Sequence, residues 1–190
     1  MKVFHVEIKG QQPLLMHSMP SILESRQTNI RKEKGSPESE AEKGAYRDAQ
    51  GYLVVPAKNI MGCLIAAARP VTKKFVVRGA GFKAPDVIKG SVRVEPSLPR
   101  LLDLKGKPIK DYEVDAQWVR NPSTGGKMPS YRPRIDEWKL QFDLKWNELI
   151  YAVGPDMVRE TLAQSTHVGL CDYRPMYGIF EVTSLEVEDL

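Results

Sequence analysis

Two cysteines in 190 residues, Cys63 and Cys171, are too few and too far apart for a disulfide framework or a zinc site. No apolar run approaches the roughly 18 residues that a membrane-crossing helix needs. Met1 leads directly into a strand pattern rather than into a charged-then-apolar leader, so a cytosolic location is the expectation. Histidine is scarce as well. His5, His17 and His167 stand near no recognisable nucleophile motif, which leaves a hydrolase reading with little support. Gly79-Ala80-Gly81 is too short for a nucleotide fingerprint, with neither a Walker lysine pattern nor GxGxxG. No cofactor and no resident metal are expected.

Positive charge is present and unevenly placed. Lys58 to Arg93 holds eight Lys or Arg against the single acid Asp86, and Arg120 to Arg134 holds four basic residues and no acid. The whole chain is only +4, so the remainder carries an excess of seven acids. Two cationic segments on an otherwise acidic chain point to a directed surface for a polyanion, against the plainer alternative of a solvated face.

The centre of the chain is Gly51 to Arg69, where a β-branched run ends at Pro56 and passes into a segment apolar at Ile60, Cys63, Leu64 and Ala67. That is the i, i+3, i+4, i+7 spacing of one helix face. Met61, Ile65 and Ala68 widen the apolar surface, which predicts a nearly enclosed helix. Gly62 within it suggests close backbone packing. Val3 to Lys9 alternates as a first strand, and Pro13 begins a compact Leu-Leu-Met-His-Ser turn. Residues 19–50 form a long polar insertion, a loop or a helix that orders on a partner. Its Glu38, Glu40, Glu42 and Asp48 are either a divalent-metal set or, more often for such a run, simply solvated. Val92 and Val94 mark a short strand, and three prolines with Gly106 over 96–110 suggest a surface loop.

Tyr112 to Trp118 and Leu140 to Trp146 both alternate with period two. They predict an antiparallel hairpin with an extended tip, Arg120 to Arg134, with Trp118 and Trp146 in the core. A tip with four cations, a tyrosine and a methionine has the composition of a nucleic-acid finger. Gly154-Pro155-Asp156 opens a second helix with Val158, Thr161, Leu162 and Ser165 on its packing face and Gly169 as its stop. A last strand follows Tyr177-Gly178, with a parity change that places a bulge near Ser184. The order strand, helix, strand, strand, helix, strand defines one α+β domain over 1–190, ferredoxin-like or RRM-like (βαββαβ), with insertions 19–50 and 120–134.

Three pieces carry a family likeness. Tyr52-Leu-Val-Val-Pro-Ala-Lys-Asn-Ile-Met-Gly-Cys-Leu64 resembles the apolar-Pro-Gly-Ser-Ser-Leu-Lys-Gly-Ala-Leu-Arg box of the RAMP superfamily of CRISPR-associated proteins. The opening, with Ile8, Pro13-Leu14-Leu15 and His17-Ser18, is similar to that family's first strand and turn. Tyr177-Gly-Ile-Phe-Glu-Val182 resembles its closing glycine loop and strand. Ala57, Lys58 and Met61 depart from the box, standing where the family often has Gly, Ser and Lys. The resemblance implies a non-catalytic backbone-type subunit, antiviral in role, that assembles head-to-tail in arrays along guide-type RNA or single-stranded DNA, together with other subunits. It makes 120–134 a thumb and assigns phosphate contacts to Lys58, Arg69, Lys73, Lys74 and Arg78. In the thumb, Arg120, Lys127, Arg132 and Arg134 become the cationic contacts. Tyr131 either stacks on a base or covers the sheet. Arg174 either holds a phosphate or pairs with Asp172. His17 either touches the ligand or stabilises its turn. The alternatives are a metal-dependent endoribonuclease that uses the acidic loop 38–48, and a protein–protein assembly module of a mobile element.

Overall fold

The computed structural model describes residues 1–18, 35–72, 83–120, 125–147 and 154–189. Lys73, Lys74 and Arg78 lie outside these residues, as do residues 19–34 of the polar insertion 19–50.

The main sheet is antiparallel and is built on β1 (Lys2–Gly10), in which Phe4, Val6 and Ile8 are buried and His5, Glu7 and Lys9 face outward. β1 lies between β7 (Lys139–Trp146) and β8 (Phe180–Asp189). β7 pairs on its other edge with β3 (Val92–Glu95) and with the two-residue β4 (Leu101–Leu102). The order β3-β7-β1-β8 is that of a ferredoxin-like sheet. One face is covered by α2 (Ala57–Val71) and α4 (Asp156–Ser165), with α3 (Ala84–Ser91) packed beside α2. α2 buries the stripe that its period predicts, Ile60, Cys63, Leu64 and Ala67, together with Ala68 and Val71. α4 likewise buries Val158, Thr161, Leu162 and Ser165. Each fully buried Leu or Ile adds about 1.5–3 kcal/mol of apolar burial, so these two stripes fasten the helices to the sheet. The bulge falls where the parity change puts it, since Glu7 pairs with Ser184 but Ile8 with Val182.

Several expectations are corrected. Strand β5 (Glu113–Arg120) does not pair with β7. Its partner is β6 (Lys127–Ile135), and β6 also pairs with β2 (Leu14–Leu15) in a second sheet ordered β2-β6-β5. The place beside β7 is taken by β3 and β4, so the 96–110 stretch contributes a strand whose Leu101 is fully buried. The projecting ribbon is therefore larger than the 120–134 tip, and it is inserted between the core strands. Trp118 is not a core residue but 73% exposed, whereas Trp146 is buried as expected. Gly62 faces open space, with nothing within 4 Å of a Cβ placed there, so it gives no close packing. In the described part of the polar insertion, α1 (Pro37–Glu42) packs against β6 and β5.

Two glycines of the main sheet and its last loop are required by space. A Cβ on Gly10 would lie 2.3 Å from Trp138 Nε1, whose ring caps the end of β1 and donates to Gln12 O at 3.0 Å. At Gly178 the backbone is left-handed (φ +71°), and a Cβ would meet Leu170 O at 2.1 Å. Gly62→Ala should therefore raise stability by about 0.5–1 kcal/mol, since it removes helix entropy cost without a clash. Gly178→Ala should lower it by more than about 2 kcal/mol through strain and overlap combined. Denaturant midpoints at constant m-value check both. On the outer sheet face, His5 Nδ1 lies 2.8 Å from Asp143 and Nε2 3.4 Å from Glu188, and these carboxylates raise its pKa above 6.5. The folded state thus favours the imidazolium. Its stabilisation is complete below pH 6.5 and disappears as pH rises through the raised value. An NMR titration of His5 should give a midpoint above 6.5, and His5→Gln should flatten the stability profile across that window.

Candidate nucleic-acid interface

The outer face of the main sheet is a compensated charge lattice. Besides His5, Glu7 receives Gln141 Nε2 at 2.7 Å and Lys139 at 3.5 Å, and Lys145 pairs with Glu95 at 2.5 Å. The aromatic residues of these strands, Phe4, Phe142, Trp146 and Phe180, all point into the core. An RRM sheet stacks bases on outward aromatics, and this face offers none among its described residues. The aromatic and cationic groups are instead on the ribbon.

Antiparallel register sorts the ribbon into two faces. Val114/Pro133, Ala116/Tyr131, Trp118/Pro129 and Arg120/Lys127 share one, while Glu113/Arg134, Asp115/Arg132, Gln117/Ser130 and Val119/Met128 share the other. The second face is turned to the 169–178 loop, where Gln117 Nε2 donates to Tyr177 Oη at 3.1 Å. Arg132 is buried there. Its Nε donates to His17 Nδ1 at 3.1 Å and lies 2.8 Å from Asp172 Oδ2, and its guanidinium covers the Tyr173 ring at 4.2 Å. Cys171 and Tyr173, on either side of Asp172, both have left-handed backbones (φ 61° and 52°), strain that aims the carboxylate at Arg132. Asp172 N bonds Leu15 O at 3.0 Å and Gly178 N bonds Pro13 O at 2.8 Å, so loop and first turn are tied together.

Other assigned residues fall out as follows. Asp172 is taken by Arg132, and Arg174 is exposed. The His17 ring accepts from Arg132 Nε through Nδ1 at 3.1 Å, and its backbone carbonyl accepts from Tyr46 Oη at 2.8 Å. Arg134 pairs with Asp136 at 2.6 Å. Tyr131 is half-buried on the first ribbon face, whose base is approached by Gly44, just beyond α1, at Pro133. Arg120 and Lys127 are exposed near the ribbon end, with no ion-pair partner among the described residues. Lys58 is exposed in the first turn of α2, where the helix dipole favours an anion. Its neighbour Asn59 reaches Cys171 Sγ at 3.6 Å, so this helix end and the root of the ribbon meet at one loop. Arg69 sits in the last turn, about 16 Å further along by helical rise, and there the dipole favours the arginine itself.

The acidic segment is engaged by cations. Glu42 takes Arg47 at 2.5 Å and Tyr112 Oη at 2.7 Å, and Asp48 takes Arg100 at 2.6 Å. Arg47 and then Tyr112 hold the Glu42 carboxyl below its usual range. Among the described residues no group of His, Cys, Asp and Glu is placed to hold a metal. Burial pushes the thiols of Cys63 and Cys171 up to about 12, so neither is a thiolate at neutral pH.

The exposed indole of Trp118 is the feature that sequence alone misplaced. Its one sequence signal was the neighbouring cation Arg120 on the same strand parity.

The fold and ribbon together define a ferredoxin-like domain carrying a projecting two-stranded arm. No family model matches the sequence, and no curated protein matches it. Among solved structures, the chain is similar to a chain in the cryo-EM structure of the Type III-B Cmr-beta bound to cognate target RNA. The TM-score is 0.60 at 11% sequence identity, covering 98% of this chain and 60% of that one, so this chain spans about three fifths of its length. No helix among the described residues is long and apolar enough to cross a membrane.

Arg132→Ala should cost about 2 kcal/mol, below the full loss of a buried pair because Asp172 is about a third exposed. Arg120→Ala should change stability by less than about 0.5 kcal/mol. Paired urea titrations distinguish the pinning arginine from the exposed one.

Proposed function

We propose that the chain is a non-catalytic RNA-binding subunit of a CRISPR-type multi-subunit ribonucleoprotein. The observation that carries this reading is the ribbon, an arm on one face of which register places two cations, two aromatic rings and no acid. It projects from a core like that of a chain in the RNA-bound Cmr-beta assembly. In this reading the exposed Arg120, Lys127 and Lys58 neutralise phosphates, and Arg132, paired with Asp172, holds the arm. The pairing of Glu42 and Asp48 with arginines supports a binding role over metal-dependent cleavage.

Copies pack head-to-tail along the strand, and such contacts generate open helical arrays. Edge strand β8, whose Glu181, Glu188 and Asp189 also pair with Lys9, His5 and Lys2 of β1, supplies one side of that contact. RNA is preferred to single-stranded DNA on the strength of the fold likeness.

Counterion release makes the test quantitative. Binding of a single-stranded RNA should weaken steeply between 50 and 200 mM salt, at about 0.7 in log–log slope per phosphate contact. Arg120→Ala with Lys127→Ala should flatten that slope by about 1.4 for unrelated sequences alike. Salt-independent binding, or no binding, would remove the reading. Sedimentation on RNAs of increasing length should show integral addition of copies, and a single copy on every length would remove the array.

A further inference from the structure

We propose that the open face of the β5–β6 ribbon is a nucleobase-stacking platform, with Trp118 as the stacking ring and Arg120 and Lys127 as the adjoining phosphate contacts. This rests on the nucleic-acid-binding reading and adds to it the part of the ligand that is gripped. Burying an indole normally contributes to a core, yet this one is 73% exposed on a strand, so folding does not require it there. Its surroundings choose the occupant. Of the eight residues that register places on this face, two are cations and none is acidic. The acids of β5, Glu113 and Asp115, lie on the other face opposite Arg134 and Arg132. A protein partner would be met by a bare positive patch, whereas a nucleotide supplies an aromatic face and a negative charge one strand repeat away.

The platform is also held still. Pro129 lies directly opposite Trp118 in register, with its φ fixed by the ring. The Arg132–Asp172 contact anchors the same strand three residues further on. A preorganised ring gives stacking at little ordering cost. Because every base has a π-face, recognition is tolerant of sequence but requires unpaired bases.

The three tryptophans make the test direct, since Trp138 and Trp146 are fully buried and Trp118 alone is open to solvent. The full chain is titrated with an oligouridylate and with an abasic oligomer of equal length and charge, following indole emission. The oligouridylate should quench the solvent-exposed emission and bind about tenfold more tightly than the abasic oligomer. Trp118→Ala should lose that tenfold and leave abasic binding unchanged, and Trp118→Phe should restore most of it. Several results would overturn the platform. Trp118→Ala could bind the oligouridylate like the native chain, or weaken on both oligomers equally. The native emission could shift to the blue with protein concentration alone, which would mean that a second copy covers the ring. If the native chain binds neither oligomer, the functional reading falls with the platform. If it binds both regardless of Trp118, the platform alone falls.

Discussion

The arm depends on one buried guanidinium. Arg132 lies at the root of the ribbon, between the carboxylate of Asp172, the imidazole of His17 and the ring of Tyr173. Those three groups come from the loop before β8 and the turn after β1, so one side chain joins the small sheet to the two ends of the large one. Removing a charge from water is costly unless its partners are well placed. The loop brings the Asp172 carboxylate to 2.8 Å from Nε with two left-handed residues around it and with Gly178, where no side chain fits, and it leaves Arg132 Nη1 buried without a hydrogen-bond partner among the described residues. Strain in the loop is thus set against fixed orientation of the arm.

With the root pinned on one face, the opposite face is left open, and the chemistry divides accordingly. Beneath the ribbon Arg132 pairs with Asp172 and Arg134 with Asp136, while the outer side carries an indole and two cations with no ion-pair partner among the described residues. The main sheet shows the complementary arrangement, with its aromatics in the core and its outer charges paired. Exposed aromatic and cationic groups stand on the inserted arm, and the described outer face of the sheet carries no exposed tryptophan, tyrosine or phenylalanine. Lys58 stands exposed at the helix end that reaches the 169–178 loop through Asn59.

Much of the core was legible in sequence because its signals are local. The stripe Ile60, Cys63, Leu64 and Ala67 repeats with helical period, and Phe4, Val6 and Ile8 alternate without interruption. The ribbon was harder to read. Pro129 and Pro133 disguise β6 as a loop, and with that strand hidden the alternation of β5 attaches to the next clear strand, β7. Period two tells that a strand has two faces but not which one is wet, so Trp118 was expected in the core. The role of Arg132 depends on a partner forty residues away in sequence. Composition marks it as a cation like its neighbours, and only the fold separates the arginine that builds the site from those left exposed.

The most direct measurement is photocrosslinking of the full chain to a thiouridine-substituted single-stranded RNA, with the adducts mapped by mass spectrometry. The account predicts adducts concentrated on the open ribbon face between residues 116 and 131. Adducts confined to the outer sheet face around His5, Gln141 and Lys145, with the ribbon unlabelled, would contradict it.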